Sequence, residues 1–227
     1  MGRHAPYLRE MGLVRWRHTS RKSPEPPDHS DVELTTGGGE NQDATSQLLA
    51  LAVNVAGCDR CELHRTRNQT VFGAGNTPAR WLFVGEAPGA EEDKQGFPFV
   101  GRAGVLLNAM LFSIGLSREE VYIANVLKCR PPNNRDPFGR EVRECSPFLH
   151  RQISLVQPEI IVALGRFAAQ ALLETDQSLG QLRGHRHQYK VKQLPLVVTY
   201  HPAYLLRSPS AKGKSWEDLT LAQSLLG

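Results

Sequence analysis

The sequence has little of what marks membrane, fibrous and disulfide-stabilised proteins. Only four of its 227 residues are cysteine, 7% are aromatic and 22% are charged. No apolar run approaches the roughly 18 residues that a membrane-spanning helix needs, and the first residues contain no apolar core of a secretory signal. With 40% hydrophobic residues, the chain is expected to be a globular protein of the cytoplasm, where thiols stay reduced.

Charge and composition divide the chain into two parts. Residues 1–57 carry 6 basic and 7 acidic residues, a net charge of −1, whereas residues 58–227 carry 21 and 16, a net charge of +5. Residues 19–43 are rich in proline, glycine and polar side chains, which cannot bury enough apolar surface to offset the entropy cost of ordering. We therefore expect residues 1–43 to form a disordered tail and residues 44–227 to form one domain. Its basic excess permits a nucleic-acid partner, but ordinary solubility charge explains it equally well.

Four apolar segments of strand length alternate with helical patterns. The segments are residues 80–84, 121–128, 160–164 and 194–200, and their nearly continuous apolar residues are typical of buried parallel strands. Helical spacing recurs from residue 46 to Gly57, around residues 105–112, and over residues 140–157, 166–174 and 216–226. The pattern predicts an α/β fold of three layers, α/β/α, with a four-stranded, mostly parallel sheet. A short hairpin around residues 183–192 is expected to lead into the last strand.

Polar segments with unusual backbone requirements follow three of the predicted strands. They read GEAPG at residues 85–89, NVLKCRPPNNR at 125–135 and HPAYLLRSP at 201–209. Because ligands of such sheets bind beyond the carboxyl ends of the strands, these segments are expected to meet in one site. Taken singly, each has a plainer interpretation: GEAPG as an ordinary turn, Asn125 as a capping residue and His201 as a packed loop histidine.

The four cysteines carry a sharper signal. Cys58 and Cys61 form a C-x-x-C pair, and Cys129 and Cys145 lie further along the chain. An even number of thiols in a reducing compartment favours a metal site. Four thiolates suit zinc or an iron–sulfur cluster, and their spacing does not choose between the two. The alternatives are a redox-active pair and two unrelated buried thiols.

Together, these motifs resemble those of the family 4 uracil-DNA glycosylases, iron–sulfur enzymes of bacteria and archaea. The resemblance rests on the cysteines and on GEAPG, GFPFVG at 96–101, NVLKCRPP at 125–132 and HPAYLLR at 201–207, and it extends from about Cys58 to the C-terminus. It implies a structural 4Fe-4S cluster on all four cysteines, whose charge Lys128, Arg130 and Arg143 would balance. It also implies a monomer whose partner is uracil-containing DNA.

The resemblance assigns roles in recognising a uracil that has left the base stack. Phe99 would stack on the base, and Asn125 would read its O4 and N3–H edge, because an amide offers one donor and one acceptor. Glu92 would crowd the C5 methyl group of thymine, and backbone N–H groups around Ala87 would help to hold O2.

The same resemblance assigns the catalytic roles. His201 would donate a hydrogen bond to uracil O2 as negative charge develops on the departing base. Glu86 and Asn134 are the candidates for orienting the attacking water. The loop after His201 would enter the DNA, with two leucines as a wedge and an arginine on a phosphate. Its implied DNA-binding residues are Tyr204, Leu205, Leu206 and Arg207.

The sequence leaves three other functions open. One is a non-catalytic nucleic-acid-binding module with a structural metal, and another is a zinc-bound protein-interaction domain without DNA affinity. A third is a uracil-DNA-binding protein that traps its substrate covalently through a histidine in a basic inserted loop. Residues 131–140 contain no histidine, which disfavours the third.

Overall fold

A computed structural model describes residues 39–190 and 193–226. The strands are β1 Ala74–Gly75, β2 Trp81–Gly85, β3 Tyr122–Asn125, β4 Ile160–Leu164, β5 Arg186–Tyr189 and β6 Leu194–Thr199. The α-helices are α1 Gly39–Ala56, α2 Ala90–Gln95, α3 Arg102–Ser113, α4 Gly139–Val156, α5 Arg166–Leu173, α6 Leu179–Leu182, α7 Pro202–Arg207 and α8 Lys212–Ser224. Short 3₁₀ turns cover Glu62–Arg65, Arg118–Glu120, Pro132–Asn134 and Pro209–Ala211.

The strands form one mixed sheet in the order β1-β3-β2-β4-β6-β5. The four central strands run parallel, whereas β1 and β5 pair antiparallel at the two edges. The α/β class is confirmed, but the described part of the chain has six strands rather than the four predicted. The expected hairpin supplies β5. The edge strand β1 escaped prediction because two residues are too few to leave a periodic pattern.

Alternate residues of the central strands pack on opposite faces of the sheet. Leu82 and Val84 of β2 join a core formed with α1, α4 and α5, whereas Phe83 between them joins a second core formed with α3 and α8. All three side chains are fully buried. Helices therefore cover both faces, and the three-layer α/β/α arrangement is confirmed. This covering leaves the ends of the strands as the place where loops can form a site.

Helix α1 bears on the predicted domain boundary. It begins at Gly39, inside the segment predicted as a tail, and ends at Ala56, directly before the glycine that the sequence offers as a stop. Residues 1–38 lie outside the described residues, so their disorder stays a prediction. Within residues 39–190 and 193–226, no helix combines the length and apolar character that a membrane crossing requires.

Candidate active site and four-cysteine site

A cleft of about 430 Å³ lies at the carboxyl ends of β2, β3 and β6. The loops that follow these strands meet there, as expected for a parallel sheet. The predicted site residues that line the cleft are Glu86, Ala87, Glu92, Phe99, Asn125, Asn134, His201, Tyr204 and Arg207. Residues from three separate sequence segments are thus brought into one concave site.

The floor of the cleft carries an amide with an unused acceptor. Asn125 ends β3, is 2% exposed, and its Oδ1 meets no hydrogen-bond donor among the described residues. Gly85 lies beside it, and a Cβ there would clash with Asn125 Oδ1 and come within 2.7 Å of Phe99 Cζ. A buried acceptor without a partner is costly, so Asn125 Oδ1 is suited to accept an N–H group from a bound ligand.

The ring of Phe99 is held above this floor by a constrained loop. Phe99 has a positive φ of 51°, a conformation that non-glycine residues rarely adopt. The Arg118 guanidinium donates to the carbonyls of Pro98 and Phe99. Glu92 Oε1 accepts from the backbone N–H groups of Val100 and Gly101 at 2.9 and 3.0 Å. Glu92 therefore fastens the aromatic loop as well as lining the cleft.

His201 joins β6 to α7 and points a defined tautomer into the cleft. Its Nδ1 accepts a hydrogen bond from the Ala203 backbone N–H at 3.1 Å, so the neutral ring carries its proton on Nε2. Burial lowers the pKa of His201 to about 4, and the nearby positive charge of Arg207 acts in the same direction. The imidazole is therefore neutral at physiological pH, and its Nε2–H can act as a hydrogen-bond donor. The ring centroids of His201 and Phe99 lie 5.5 Å apart.

The cleft also contains two neighbouring carboxyl groups, those of Glu86 and Asp136. Burial, together with the charge of Asp136, raises the pKa of Glu86 to about 7, and Arg166 opposes the shift. Arg166 also forms an ion pair with Asp136, with an N–O distance of 3.4 Å. Asn134 Oδ1 accepts from Arg130 Nε at 2.8 Å. A carboxyl group that titrates near neutrality is suited to orient and activate water.

Helix α7 separates the two leucines that were predicted to enter DNA. Leu206 is 38% exposed, whereas Leu205 is 1% exposed and packs in the core beneath α3. Neighbouring residues of a helix point in different directions, so the two side chains cannot share one face. Leu206 is therefore the leucine whose side chain is placed at the surface to act as a wedge, and insertion of Leu205 into DNA stays a prediction.

Tyr204 belongs to a stack that continues into the protein. Its exposed ring lies 5.1 Å from the Tyr200 ring between centroids, nearly parallel to it. The Arg183 guanidinium lies 5.4 Å from the Tyr200 centroid and donates to both carboxylate oxygens of the buried Asp218, at 3.2 and 3.0 Å. The loop after His201 is therefore supported from behind by a fixed cation and two aromatic rings.

The four predicted metal ligands also come together. Cys58 and Cys61 follow α1, Cys129 follows β3 and Cys145 lies in α4, and all four line one cavity. Within the described ranges, no three His, Cys, Asp or Glu side chains are close enough to hold a single metal ion. A polynuclear cluster instead takes one thiolate per iron, so its ligands stand apart around a shared space. The donor set and its arrangement fit such a cluster.

Hydrogen-bond donors and a buried cation surround the thiols. Arg67 Nη1 donates to Cys129 Sγ at 3.2 Å and to the Cys58 carbonyl at 2.8 Å. The Lys128 backbone N–H donates to Cys145 Sγ at 3.2 Å. Burial raises the pKa of Cys145 to about 11, although Lys128 opposes the shift. The bare thiol therefore keeps its proton at neutral pH, and metal binding would have to release it.

The basic residues of this site differ in part from those expected. Lys128 lines the cavity as predicted, together with Arg60 and Arg67. In contrast, Arg130 bonds to Asn134 at the cleft, and Arg143 lines a separate surface groove beside α4. No local pattern points to Arg67, because only folding brings it to a cysteine that lies 62 positions away.

The fold and the cleft together indicate a protein that binds a nucleobase. An α/β/α sheet places an aromatic ring, an unpaired amide oxygen and a neutral imidazole donor around one cleft, and together these groups match a flat, uncharged heterocycle with an N–H group and carbonyl oxygens. A pyrimidine base such as uracil has this pattern, whereas a phosphate or a carboxylate does not.

Comparison with known proteins identifies the family. A family model described as the Uracil DNA glycosylase superfamily matches residues 72–220. The type-4 uracil-DNA glycosylase of Archaeoglobus fulgidus is 44% identical over 179 residues, which cover 76% of this chain and 90% of that protein. The type-4 enzymes of Pyrobaculum aerophilum and Thermotoga maritima are each 44% identical, over 74% of this chain and 88% and 89% of their own lengths. The chain therefore belongs to the uracil-DNA glycosylase superfamily.

Proposed function

We propose that this protein is a DNA-repair glycosylase. It hydrolyses the N-glycosidic bond of deoxyuridine in single- or double-stranded DNA, releases uracil and leaves an abasic site. The observation that carries the proposal is the buried Asn125 Oδ1, which has no donor among the described residues and lies at the floor of a cleft shared with Phe99 and His201. Family membership supports the same reaction.

Recognition of uracil follows from the polarity of its edge. Asn125 Oδ1 would accept the uracil N3–H, and its amide N–H would donate to O4, while Phe99 stacks on the ring. Cytosine reverses this polarity, because it presents an amino group and an unprotonated N3. Glu92 would limit the space for the thymine methyl group, and its two backbone hydrogen bonds hold it in place for that role.

Bond cleavage requires stabilisation of the uracil anion. His201 would donate from Nε2–H to O2, a contact that strengthens as charge moves onto the base. A neutral donor suits this task, because it stabilises the anion without needing a proton from solution. We assign Glu86 and Asn134 to the attacking water, with backbone N–H groups around Ala87 completing the site. Tyr204, Leu206 and Arg207 would contact the DNA.

We further propose that Cys58, Cys61, Cys129 and Cys145 hold a structural 4Fe-4S cluster. In support, the four thiols line one cavity. The cluster would supply negative charge and tie α1 to β3 and α4, and hydrolysis of the glycosidic bond needs no electron transfer. The protein would act in the cytoplasm as a monomer.

The first test measures uracil release from a labelled oligonucleotide, followed by alkaline cleavage of the abasic site. Single-stranded and double-stranded uracil substrates should be cut, whereas matched thymine and cytosine substrates should remain intact. Asn125→Ala should slow release strongly but leave a residual rate that single-turnover assays can measure, and Asn125→Asp should shift activity from uracil towards cytosine. Binding without release would instead favour a non-catalytic module, and a protein–DNA adduct that survives denaturant would favour covalent trapping.

The metal is tested on protein purified anaerobically. Brown protein with about four irons per chain is expected from the stoichiometry of the cluster. Cys58→Ser and Cys145→Ser should each lose colour and soluble yield together, because each removes one tie between separate elements. Colourless protein with stoichiometric zinc would show that the cysteines hold a different metal, without affecting the assignment of the reaction.

A further inference from the structure

Lys128 is a buried cation that the proposed reaction does not use. Its side chain is 1% exposed, and its Nζ donates to the Asn125 backbone carbonyl at 2.7 Å. It lies next to Cys129 in the chain, and its own backbone N–H donates to Cys145 Sγ at 3.2 Å. One residue therefore contacts both the base-reading strand end and the four-cysteine site.

A buried ammonium is unfavourable unless an opposite charge lies near it. Among residues 39–190 and 193–226, no carboxylate forms an ion pair with Lys128. Lys128 lines the same cavity as Cys129 and Cys145, together with Glu144. Because the bare thiols keep their protons at neutral pH, the thiolates that oppose the charge of Lys128 would form only when the cysteine site is loaded.

The Nζ atom of Lys128 contacts the backbone of Asn125, the residue proposed to recognise the base. Asn125 is the last residue of β3, and the segment after it is bonded to the loop that carries Glu86. Val126 N–H donates to the Gly85 carbonyl at 2.9 Å, and Leu127 N–H donates to the Glu86 carbonyl at 3.0 Å. The bond from Lys128 completes this set, so it helps to fix where the Asn125 amide points. A small displacement of such a group is enough to impair catalysis.

We infer that Lys128 is a positioning residue that couples the four-cysteine site to uracil recognition by Asn125. The negative charge of the loaded cysteine site holds the ammonium, and the ammonium holds the Asn125 backbone. This inference rests on the proposed function and deepens it, because it gives the cysteine site a role in the geometry of the pocket as well as in folding.

The test compares Lys128→Met, which removes charge and donor, with Lys128→Gln, which removes only the charge. Iron content, visible absorbance, melting temperature and DNA affinity are measured on the full chain, and single-turnover excision is counted per cluster-loaded molecule. Loss of a charge-assisted hydrogen bond should slow excision by Lys128→Met roughly tenfold to a hundredfold and weaken inhibition by free uracil similarly. DNA affinity should stay unchanged, and Lys128→Gln should recover part of the rate.

A double-mutant cycle with Asn125→Ala isolates the coupling. If Lys128 acts through Asn125, Lys128→Met should have little further effect on uracil inhibition once the amide is gone. Lys94→Met is the matched control, since Lys94 is exposed and pairs with Glu91, and it should behave as wild type.

Two results would overturn the inference. One is that fully loaded Lys128→Met excises uracil at the wild-type rate and is inhibited by free uracil as strongly as wild type. Effects of Lys128→Met that simply add to those of Asn125→Ala would count against the inference in the same way. The other is complete loss of the cluster from both Lys128 variants, which would make Lys128 a folding residue of the cysteine site alone. Excision by the unmodified protein in the same assay tests the proposed function separately, because iron content is measured independently of activity.

Discussion

Replacing His201 by alanine tests the electrostatic step most directly. The variant loses the Nε2–H donor proposed for uracil O2, and removal of one such oxyanion donor costs about 3–4 kcal/mol, or roughly a hundred- to a thousandfold in rate. It also loses Nδ1, which accepts from the Ala203 N–H at the start of α7. A lost helix cap costs only about 1 kcal/mol, which corresponds to a fall of about 2–4 °C in melting temperature for a chain of this size.

These two losses separate in the assay. Single-turnover excision of uracil by His201→Ala, measured at saturating enzyme, should fall by the larger factor while DNA affinity changes little. His201→Asn should keep the helix cap, since asparagine caps helices well, and regain part of the rate through its amide donor. His187→Ala is the control, because His187 is a half-buried histidine that contacts the Leu182 carbonyl away from the cleft.

The reasoning fails if His201→Ala excises uracil at a near-normal rate when saturated. A fall in melting temperature and DNA affinity with an intact rate would mean that His201 only supports its loop. The protonation state gives a second check. A pKa of about 4 means that the titration of His201 contributes little pH dependence between pH 6 and 8. A rate that falls as pH rises through 6.5 would show that the imidazolium is the active form.

Three further predictions concern two residues that line the cleft and one that lies behind it. If ionised Glu86 orients the water, kcat/KM should fall as pH drops through about 7, its raised pKa, and Glu86→Gln should remove this acid limb; a limb that persists in the variant belongs to another group. Arg207→Ala should weaken binding to uracil-containing and plain DNA alike and make the dependence of log affinity on log salt shallower, whereas a loss confined to uracil DNA would assign Arg207 to the pocket. Asp218→Asn should leave Arg183 with only the exposed Glu217 as an ion-pair partner among the described residues and lower stability by about 1–3 kcal/mol, read as a lower melting temperature with excision per folded molecule little changed; a selective loss of excision would instead give the stack behind Tyr204 a direct role in catalysis.

The central sheet could be predicted from sequence because buried parallel strands carry a strong apolar signal. Residues 160–164 match β4, β2 is shifted by one residue at each end of its predicted range, and β6 ends one residue earlier than predicted. The predicted segment 121–128 is longer than β3, because Val126 and Leu127 turn their N–H groups to the loop after β2 instead of continuing as strand. Apolar composition indicates burial but does not mark where a chain leaves a sheet.

The cleft position of Asn125 and His201 could be predicted from their place at strand ends, because Asn125 is the last residue of β3 and His201 lies two residues after β6. Prediction failed where tertiary contacts decide the outcome. Arg118 holds the loop of Phe99 from a 3₁₀ turn about 20 positions away, and no local pattern announces that contact. Leu205 and Leu206 are adjacent residues of the same type, so their sequence does not distinguish them. The direction in which α7 packs makes Leu205 buried and Leu206 half-exposed.

Burial shifts the pKa values of two titratable groups of the cleft, His201 and Glu86, in opposite directions. Removal from water disfavours charge, so it lowers the pKa of His201 to about 4 and raises that of Glu86 to about 7. The histidine is thereby kept neutral, with a donor for the departing base, while the carboxyl group titrates where it can exchange a proton with water. If ionised Glu86 orients the attacking water, we expect excision to fall at low pH well before His201 becomes charged. The carboxyl group would then set the acid limit, because the pKa of His201 lies well below its ordinary value of 6.5.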